Sequence, residues 1–589
     1  MENFKYKLKN NLLEEINSNY LQHYLENLNI QKTASFTVEP SKQDEESPDN
    51  LENITELCQA LHEGFINDKN FFLQIDSDAD GITSSAIFYN YFKELYPDVN
   101  IRYRVHDGKE HGIFTDTIPV ESDYIIIPDA GSNDFDEQKE LAKQGRKVLI
   151  MDHHSVDTFE EVENTIIVNN QLSSRFKNKA LSGAGVVYKV IQKYDEMYNN
   201  NSKLYYQYTD LAALGIVSDM MDTRQLDNNF IIYHGLRSIK NPMLQQLLEK
   251  QSYSVSNPVN PNKIDLAFYI TPLINAVIRM GSIEENRQLF KGFINKDFET
   301  KYTRTWHGKA IEENIFEKVA RESGNIRNKQ NRIKEKALVF LDQRIQENKL
   351  YEDPIIVVEA SKYDDVTVPK TMTGLVAMEI LKKYKKPVLV LRPKKIDGEE
   401  YLFGSGRASK TEGFNSFRNE LNKTEVVKFA QGHDMAFGTG VKRSELPKLL
   451  EVIGEQLSDV DFGEQVVEVD HIFYDKEINS EMLREFAEVM NIYGNGIAQP
   501  KFAFEFSIPA SAIKLMGKKR NAMKFNIGDI NLIKFREKEG AELVNNNNSS
   551  IINVKCVGRS QINEFRGFKN VQIILDYLDM EVEEMEMMF

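Results

Sequence analysis

The sequence predicts an α/β protein: a lobe built on a parallel sheet, a second α/β lobe joined to it by a long helix, and a small β-barrel towards the C-terminal end. Three observations lead there. Short β-prone apolar runs (Phe71 to Ile75, Tyr124 to Ile127, Lys147 to Met151, Thr165 to Val168) alternate with helix-like stretches, the pattern of parallel strands with crossover helices. Residues 310–348 read as one charged helix, most polar between Asn325 and Lys336, as suits an exposed connector. From about Val466 the chain alternates in short runs separated by polar turns (Phe502 to Ile508, Ile530 to Phe535, Ile551 to Val557, Val571 to Leu575), the habit of a small barrel.

Taken in order, residues 1–50 form an N-terminal helical segment and linker. Leu12, Leu13, Ile16, Tyr20, Tyr24 and Leu28 recur at helical spacing, and Ser, Glu, Asp and Pro then dominate to Asn50. The first lobe spans 51–310, the connecting helix 311–350, the second lobe 351–455 and the barrel 460–580. Residues 581–589 are an acidic tail ending in Met587-Met588-Phe589, read as a frayed terminus. A chain of 589 residues is long enough for roughly three to five domains.

Composition narrows the function classes. No apolar run approaches the roughly 18 residues needed to span a bilayer, and the opening residues lack the apolar stretch of a secretory signal. Cys58 and Cys556 are too far apart in the chain for a disulfide framework or a thiolate zinc site, which favours a reducing cytoplasm. The net charge of −17 repels a polyanion on average, so contact with nucleic acid requires local basic surface. Two clusters supply it: Lys382, Lys383, Lys385, Lys386, Arg392, Lys394 and Lys395, and then Lys514, Lys518, Lys519 and Arg520. Repulsion from the rest is screened beyond about 8 Å at physiological salt.

Chemistry concentrates at the ends of the predicted strands. The first runs into Asp76-Ser77-Asp78-Ala79-Asp80-Gly81, the second into Asp129, the third into Asp152-His153-His154, and a small-residue apolar stretch, Leu211 to Val217, ends at Asp219. An EF-hand is excluded because Ile87 stands where its twelfth-position glutamate belongs. Strand ends of an open α/β sheet converge in space, and crowded carboxylates are most easily relieved by divalent cations. Carboxylate and imidazole without thiolate suit Mn²⁺ or Mg²⁺, and a pair of such ions suits phosphoester hydrolysis.

These segments, in this order, resemble the four motifs of the DHH phosphoesterase superfamily. The resemblance implies two Mn²⁺ or Mg²⁺ ions held by Asp78, Asp80, Asp129, His153 and Asp219, with Asp129 bridging and Asp76 a ligand or a supporting acid. It also implies that His154 faces the scissile phosphate and that Asp152 orients the imidazoles. In the second lobe Gly374 to Ala377, Lys386 to Leu391, Gly404-Ser405-Gly406-Arg407-Ala408 and Gln431 to Gly438 resemble the DHH-associated domain, where glycine turns would let backbone amides approach phosphate. Ser182 to Val186, Pro272 to Met280, Tyr493 to Gly496 and Asn563 to Gly567 are similar to the RecJ branch, which implies that the barrel is an OB-fold.

The function expected from that resemblance is a single-strand-specific 5′→3′ exodeoxyribonuclease releasing 5′-mononucleotides in DNA recombination and repair. Single-stranded DNA would thread a channel between the two α/β lobes while the barrel stacks its bases. Arg104, Asn275, Arg279, Ser405, Arg407 and His433 are the expected substrate contacts, with Arg104 or His106 at the 5′ end. A monomer in the cytoplasm of a bacterial or phage-infected cell is expected, with a single-strand-binding protein or helicase as candidate partner and no membrane. The alternatives are a phosphodiesterase for short RNA or dinucleotides and an inactive DNA-binding replication scaffold.

Overall fold

A computed structural model describes residues 4–10, 13, 18–108, 110–156, 158–360, 368–411, 413–462, 466–475, 477–517, 520–547, 550–565 and 567–583. The chain divides into two compact units, Met1–Ser323 with Val467–Phe589, and Gly324–Val466. Leu12, Ile16, Lys518, Lys519, Arg566 and the tail from residue 584 lie outside the described residues.

The chain opens as a strand, β1 (Lys5–Leu8), and this departs from the helical expectation for the N-terminal segment. The cause is a period of two: Phe4, Tyr6 and Leu8 alternate with lysines, and they pack on Val467, Val469, Ala503 and Val557. The helix Tyr20–Asn27 does form, and its buried Tyr20, Leu21, Tyr24 and Leu25 join the core of the C-terminal region, against Leu483 and Phe486.

The site rests on a five-stranded sheet made of β2 (Phe71–Ile75), β3 (Ile101–Val105), β4 (Tyr124–Pro128), β5 (Lys147–Asp152) and β6 (Thr165–Asn169). Its order is β3-β2-β4-β5-β6 and every pairing is parallel. β2 and β4 are buried along their whole length, so they read as continuous apolar runs. β3 escapes the sequence reading because Arg102, Tyr103 and Arg104 interrupt it at the sheet edge. The order reverses at β2 and β4, and a crevice outside the carboxyl ends of such strands is where α/β sheets hold ligands. A two-stranded ribbon follows, β7 (Tyr302–Trp306) and β8 (Lys309–Glu313), which the sequence reading did not anticipate. The predicted long helix runs Ile315–Glu347, and the boundary between the units falls within it.

In the second unit β9 (Ile356–Glu359), β10 (Val388–Ile396), β11 (Glu399–Arg407), β12 (Phe429–His433) and β13 (Ala436–Lys442) form a sheet in the order β12-β13-β11-β10-β9. Only β9 and β10 run parallel. The glycines expected in turns are in regular structure: Gly404 and Gly406 lie within β11, and Gly374 lies in the helix Thr373–Tyr384. They serve close packing, since a Cβ on Gly404 would collide with the Val390 carbonyl oxygen.

The C-terminal region contains β14 (Val466–Val469), paired with β1, and a seven-stranded sheet. Its strands are β15 (His471–Tyr474), β16 (Phe502–Pro509), β17 (Lys514–Met516), β18 (Ala522–Ile527), β19 (Ile530–Lys534), β20 (Ile551–Phe565) and β21 (Phe568–Val582). β21 pairs Val582 with Ile552, so the first residues assigned to the tail belong to the sheet.

Candidate metal centre

Asp78 caps the helix Ala79–Leu95, its Oδ1 accepting from Gly81 N at 2.9 Å, and this turns Asp76, Asp78 and Asp80 inward at the end of β2. Asp80 is buried and seated on the amino end of a second helix, Gly183–Tyr198. It accepts from Ser182 Oγ at 3.0 Å, Gly183 N at 2.7 Å and Ala184 N at 3.0 Å. Ser182 caps that helix, which explains the Ser182-Gly183-Ala184-Gly185 string. Asp129 follows β4 with φ of 64°, a left-handed conformation uncommon outside glycine, and its N–H donates to Met151 O at 2.8 Å. A Cβ on Gly183 would collide with Asp129 Oδ1, and one on Gly215 with Asp80 Oδ1.

Asp219 corrects one expectation. It ends no strand but follows the helix Thr209–Ser218, whose residues are buried on all sides up to Val217. An all-round apolar run of small residues lacks the period that separates helix from strand. Beyond it Met220 has φ of 56°, and its carbonyl accepts from Asn495 of the Tyr493-Gly494-Asn495-Gly496 loop. Thr223 N and Oγ1 donate to Asn495 O at 2.9 and 2.8 Å. That loop fixes the end of the Asp219 segment.

The side chains converge on His153. Its Nε2 lies 3.2 Å from Asp129 Oδ1, 3.5 Å from Asp219 Oδ2 and 3.9 Å from Asp80 Oδ2. Potential ligand atoms of Asp80, His153 and Asp219 lie within 4.8 Å of one another, and so do those of Asp76, Asp78 and Asp129. Asp129, close to His153, connects the two groups. Asp76 Oδ1 and Asp129 Oδ1 are buried with no hydrogen-bond partner. Burial and then the neighbouring acids push the carboxyls of Asp78 and Asp129 up, Asp129 well above the usual carboxylate range. Burial also raises Asp80 against the pull of His153, and burial with Asp80 and Asp78 takes Asp219 to about 8. Such a set of oxygens with one imidazole fits hard divalent cations, whose charge would remove the repulsion.

Asp152 has a different task. Burial alone would raise its carboxyl, but His154 outweighs that and holds it below the ordinary range. Its Oδ1 accepts from His154 Nδ1 at 2.7 Å and from His153 N at 2.7 Å, and its Oδ2 from Ser132 N at 3.1 Å. His154 keeps 42% of its side chain open. Burial lowers the basicity of His154, but the Asp152 carboxylate more than compensates and its pKa rises to about 9, so the imidazole is charged at neutral pH.

The DHH family N-terminal domain matches residues 70–216, and the RecJ OB domain matches residues 469–577. The SPbeta prophage-derived protein YorK of Bacillus subtilis strain 168, provisionally named a single-strand DNA-specific exonuclease, is 36% identical over 544 residues, 92% of each chain. The chain belongs to the RecJ branch of the DHH family. The single-stranded-DNA-specific exonuclease RecJ of Haemophilus influenzae is 24% identical over 585 residues, covering 90% of this chain and 92% of that one. In fold, the chain is similar to RecJ from Thermus thermophilus in complex with Mn²⁺, with a TM-score of 0.69 and 19% identity over 90% of this chain and 72% of that one.

Against this RecJ framework the remaining expected site residues separate into two sets. Asn275 and Arg279 lie half-buried on the helix Thr271–Met280 of the first unit. Arg104 lies next to the end of β3, where its Nη1 donates to His106 Nδ1 at 2.6 Å and its Nη2 to Glu110 Oε2 at 2.7 Å. His106 is buried, its Nε2 2.8 Å from Gly112 O, and burial lowers its basicity. Ser405, Arg407 and His433 belong to the second unit. Ser405 Oγ is paired with Thr373 Oγ1 at 2.8 Å, Arg407 Nη1 donates to Gly406 O at 2.7 Å, and His433 is exposed. Of the first basic cluster, Lys383 is paired with Asp342, and Lys386 donates to the carbonyls of Tyr351 and Asp353, whereas Lys394 and Lys395 are exposed on β10.

One residue at the centre was not singled out from the sequence. His111 Nδ1 donates to Asp76 Oδ2 at 2.9 Å, and its ring stands 4.9 Å from that of His154. The Asp76 carboxylate raises its basicity. A lone histidine in an irregular stretch carries no spacing signal, and only the fold brings it to the acids.

Proposed function

We infer that the chain is a divalent-metal-dependent exonuclease that degrades single-stranded DNA from the 5′ end and releases 5′-mononucleotides, in DNA recombination and repair. The observation that carries this reading is the convergence of Asp80, Asp129 and Asp219 on His153, beside a second cluster of Asp76, Asp78 and Asp129 that shares Asp129. The names carried by YorK and RecJ agree with it.

Asp76, Asp78 and Asp129 would hold one Mn²⁺ or Mg²⁺, and Asp80, His153 and Asp219 a second, with Asp129 shared. Bound ions supply a water of lowered pKa and offset the charge that develops on the phosphoryl group. The protein's own residues do the rest. Asp152 accepts from His154 Nδ1 and holds the imidazole in one orientation, so that a proton-bearing ring faces the scissile phosphate. His111, beside His154, donates to Asp76 and holds that carboxylate in place. Gly183 and Gly215 admit the carboxylates to the amino end of a helix, whose N–H groups fix Asp80. Arg104, Asn275 and Arg279 in the first unit, and Ser405, Arg407 and His433 in the second, contact phosphates, Arg407 through a fork suited to two oxygens.

On this reading residues 51–310 are catalytic, 311–350 connect them to the substrate-binding residues 351–455, and 460–580 grip the strand, flanked by the N-terminal segment 1–50 and the acidic tail 581–589. The enzyme works as a monomer in the cytoplasm of a bacterial or phage-infected cell, beside a single-strand-binding protein or helicase.

The test is hydrolysis of a long single strand labelled at either end, the same strand in a duplex, and a dinucleotide, with Mn²⁺ and with EDTA. Metal-dependent release of mononucleotides from the 5′ end of the single strand alone is expected. Preference for the dinucleotide would assign a small-substrate phosphodiesterase, and binding without any hydrolysis would assign a scaffold.

A further inference from the structure

The β7–β8 ribbon presents the chain's only tryptophan at its tip. Its ladder runs from Tyr302↔Glu313 to Trp306↔Lys309, closed by His307 and Gly308 with φ of 47° and 77°, the two left-handed residues of a tight hairpin turn. The base is anchored. Buried Glu313 accepts from Arg304 Nε at 2.6 Å and from Arg321 Nε at 2.9 Å, and Lys318 Nζ lies 4.6 Å from the centre of the Tyr302 ring. The outer half is bare: residues 305–310 are all exposed, and 58% of Trp306 is open. Among the described residues neither strand pairs with any other sheet.

An isolated two-stranded ribbon is marginally stable, and an indole at its open end adds no core packing. Charge is divided along the ribbon: Glu312 and Glu313 stand at its base opposite Thr303 and Tyr302, while Arg304 and Lys309 lie towards the tip, where residues 304–311 include no carboxylate. The Arg304 guanidinium, fixed by Glu313, sits 5.5 Å from the indole centre. One aromatic ring flanked by cations is too small and too charged to seat a folded protein, but it matches the repeating unit of a single strand, a flat base between two phosphates.

We propose that the hairpin is a single-strand grip in which Trp306 stacks on an unpaired base of DNA while Arg304 and Lys309 meet the adjoining phosphates. The proposal rests on the nuclease reading above and adds a contact outside the acid centre. Stacking on an indole tolerates any base, and a paired base, stacked on both faces within a duplex, has no face to offer. The hairpin thereby favours single strands without reading sequence.

The lone tryptophan is its own reporter. Full-length protein in EDTA, titrated with an oligothymidylate of about 12 nucleotides, is expected to show saturable quenching of tryptophan emission that the duplex form does not produce. Trp306→Ala should weaken oligonucleotide affinity by about tenfold, with Trp306→Phe recovering part of it. Its melting temperature should match that of the parent, because the side chain packs on no core. Hydrolysis run in parallel with Mn²⁺ separates the two readings. Intact hydrolysis of single strands with unchanged emission overturns the hairpin proposal and leaves the nuclease standing, and quenching without hydrolysis does the reverse. Equal quenching by duplex and single strand, or parental affinity in Trp306→Ala, also overturns the grip.

Discussion

The acid centre of the first unit and the polar residues of the second show opposite states of electrostatic balance. In the first, buried carboxylates crowd one point, and Asp76 Oδ1 and Asp129 Oδ1 have no hydrogen-bond partner. In the second, Ser405 is satisfied by Thr373, Arg407 by a neighbouring carbonyl, and the residues ride on regular strands. The difference teaches that the first group carries buried like charges its own neighbours leave unbalanced, whereas the second is balanced within the protein.

Removing one charge at the acid centre should have the largest effect. Asp129→Asn should lower single-strand hydrolysis by at least about a thousandfold in Mn²⁺. In EDTA the same change should raise stability by about 1–3 kcal/mol in denaturant melts, because the metal-free fold must keep the raised Asp129 carboxyl protonated whereas the unfolded chain ionises it, and Asn carries no such cost. A variant that is less stable without metal would break the contrast. Gly183→Ala leaves every charge in place but drives a methyl group against Asp129, so turnover should fall by about a hundredfold. Near-parental turnover would show that the glycine is not needed for the close approach.

A buried cation sharpens the comparison from the other side. Lys263 is buried with its Nζ donating to Ile492 O at 2.5 Å, and burial alone brings its pKa down to about 7. Between that value and the ordinary 10.5 the unfolded chain holds a proton that the folded chain does not, so stability rises with pH across this window. The rise from pH 7.5 to 9 should be about 2 kcal/mol, and Lys263→Met should flatten it in melts followed across that range. The smallest effect is expected in the second unit. Arg407→Ala should raise KM for long single strands by about tenfold with kcat little changed, as fits a phosphate contact. A fall in kcat alone would place Arg407 in the chemistry instead.

The acids were legible because three of their segments end β-prone runs, and an open parallel sheet brings its strand ends together. Asp219 was found as a candidate but assigned to the wrong element, since Leu211 to Val217 are small and apolar on every side. β1 was hidden because an alternating four-residue strand carries too little pattern beside the helix that follows it. His111 and the Trp306 hairpin were missed because neither has a spacing signal. One acts through a contact across 35 residues, the other through exposure, which no sequence prints. The glycines of β11 were recognised as significant but placed in turns, when Gly404 and Gly406 admit the Val390 carbonyl and the Phe437 ring, and Gly374 of the helix Thr373–Tyr384 admits the Arg407 side chain.

The central claim is that the acid centre is a site for paired divalent cations. Titration calorimetry of the metal-stripped protein with Mn²⁺ tests it most directly. The account predicts two ions bound per chain with release of protons, since raised carboxyls must ionise to ligate, and loss of at least one ion in Asp129→Asn. No heat of binding at millimolar Mn²⁺, or the same two ions bound by Asp129→Asn, would contradict it.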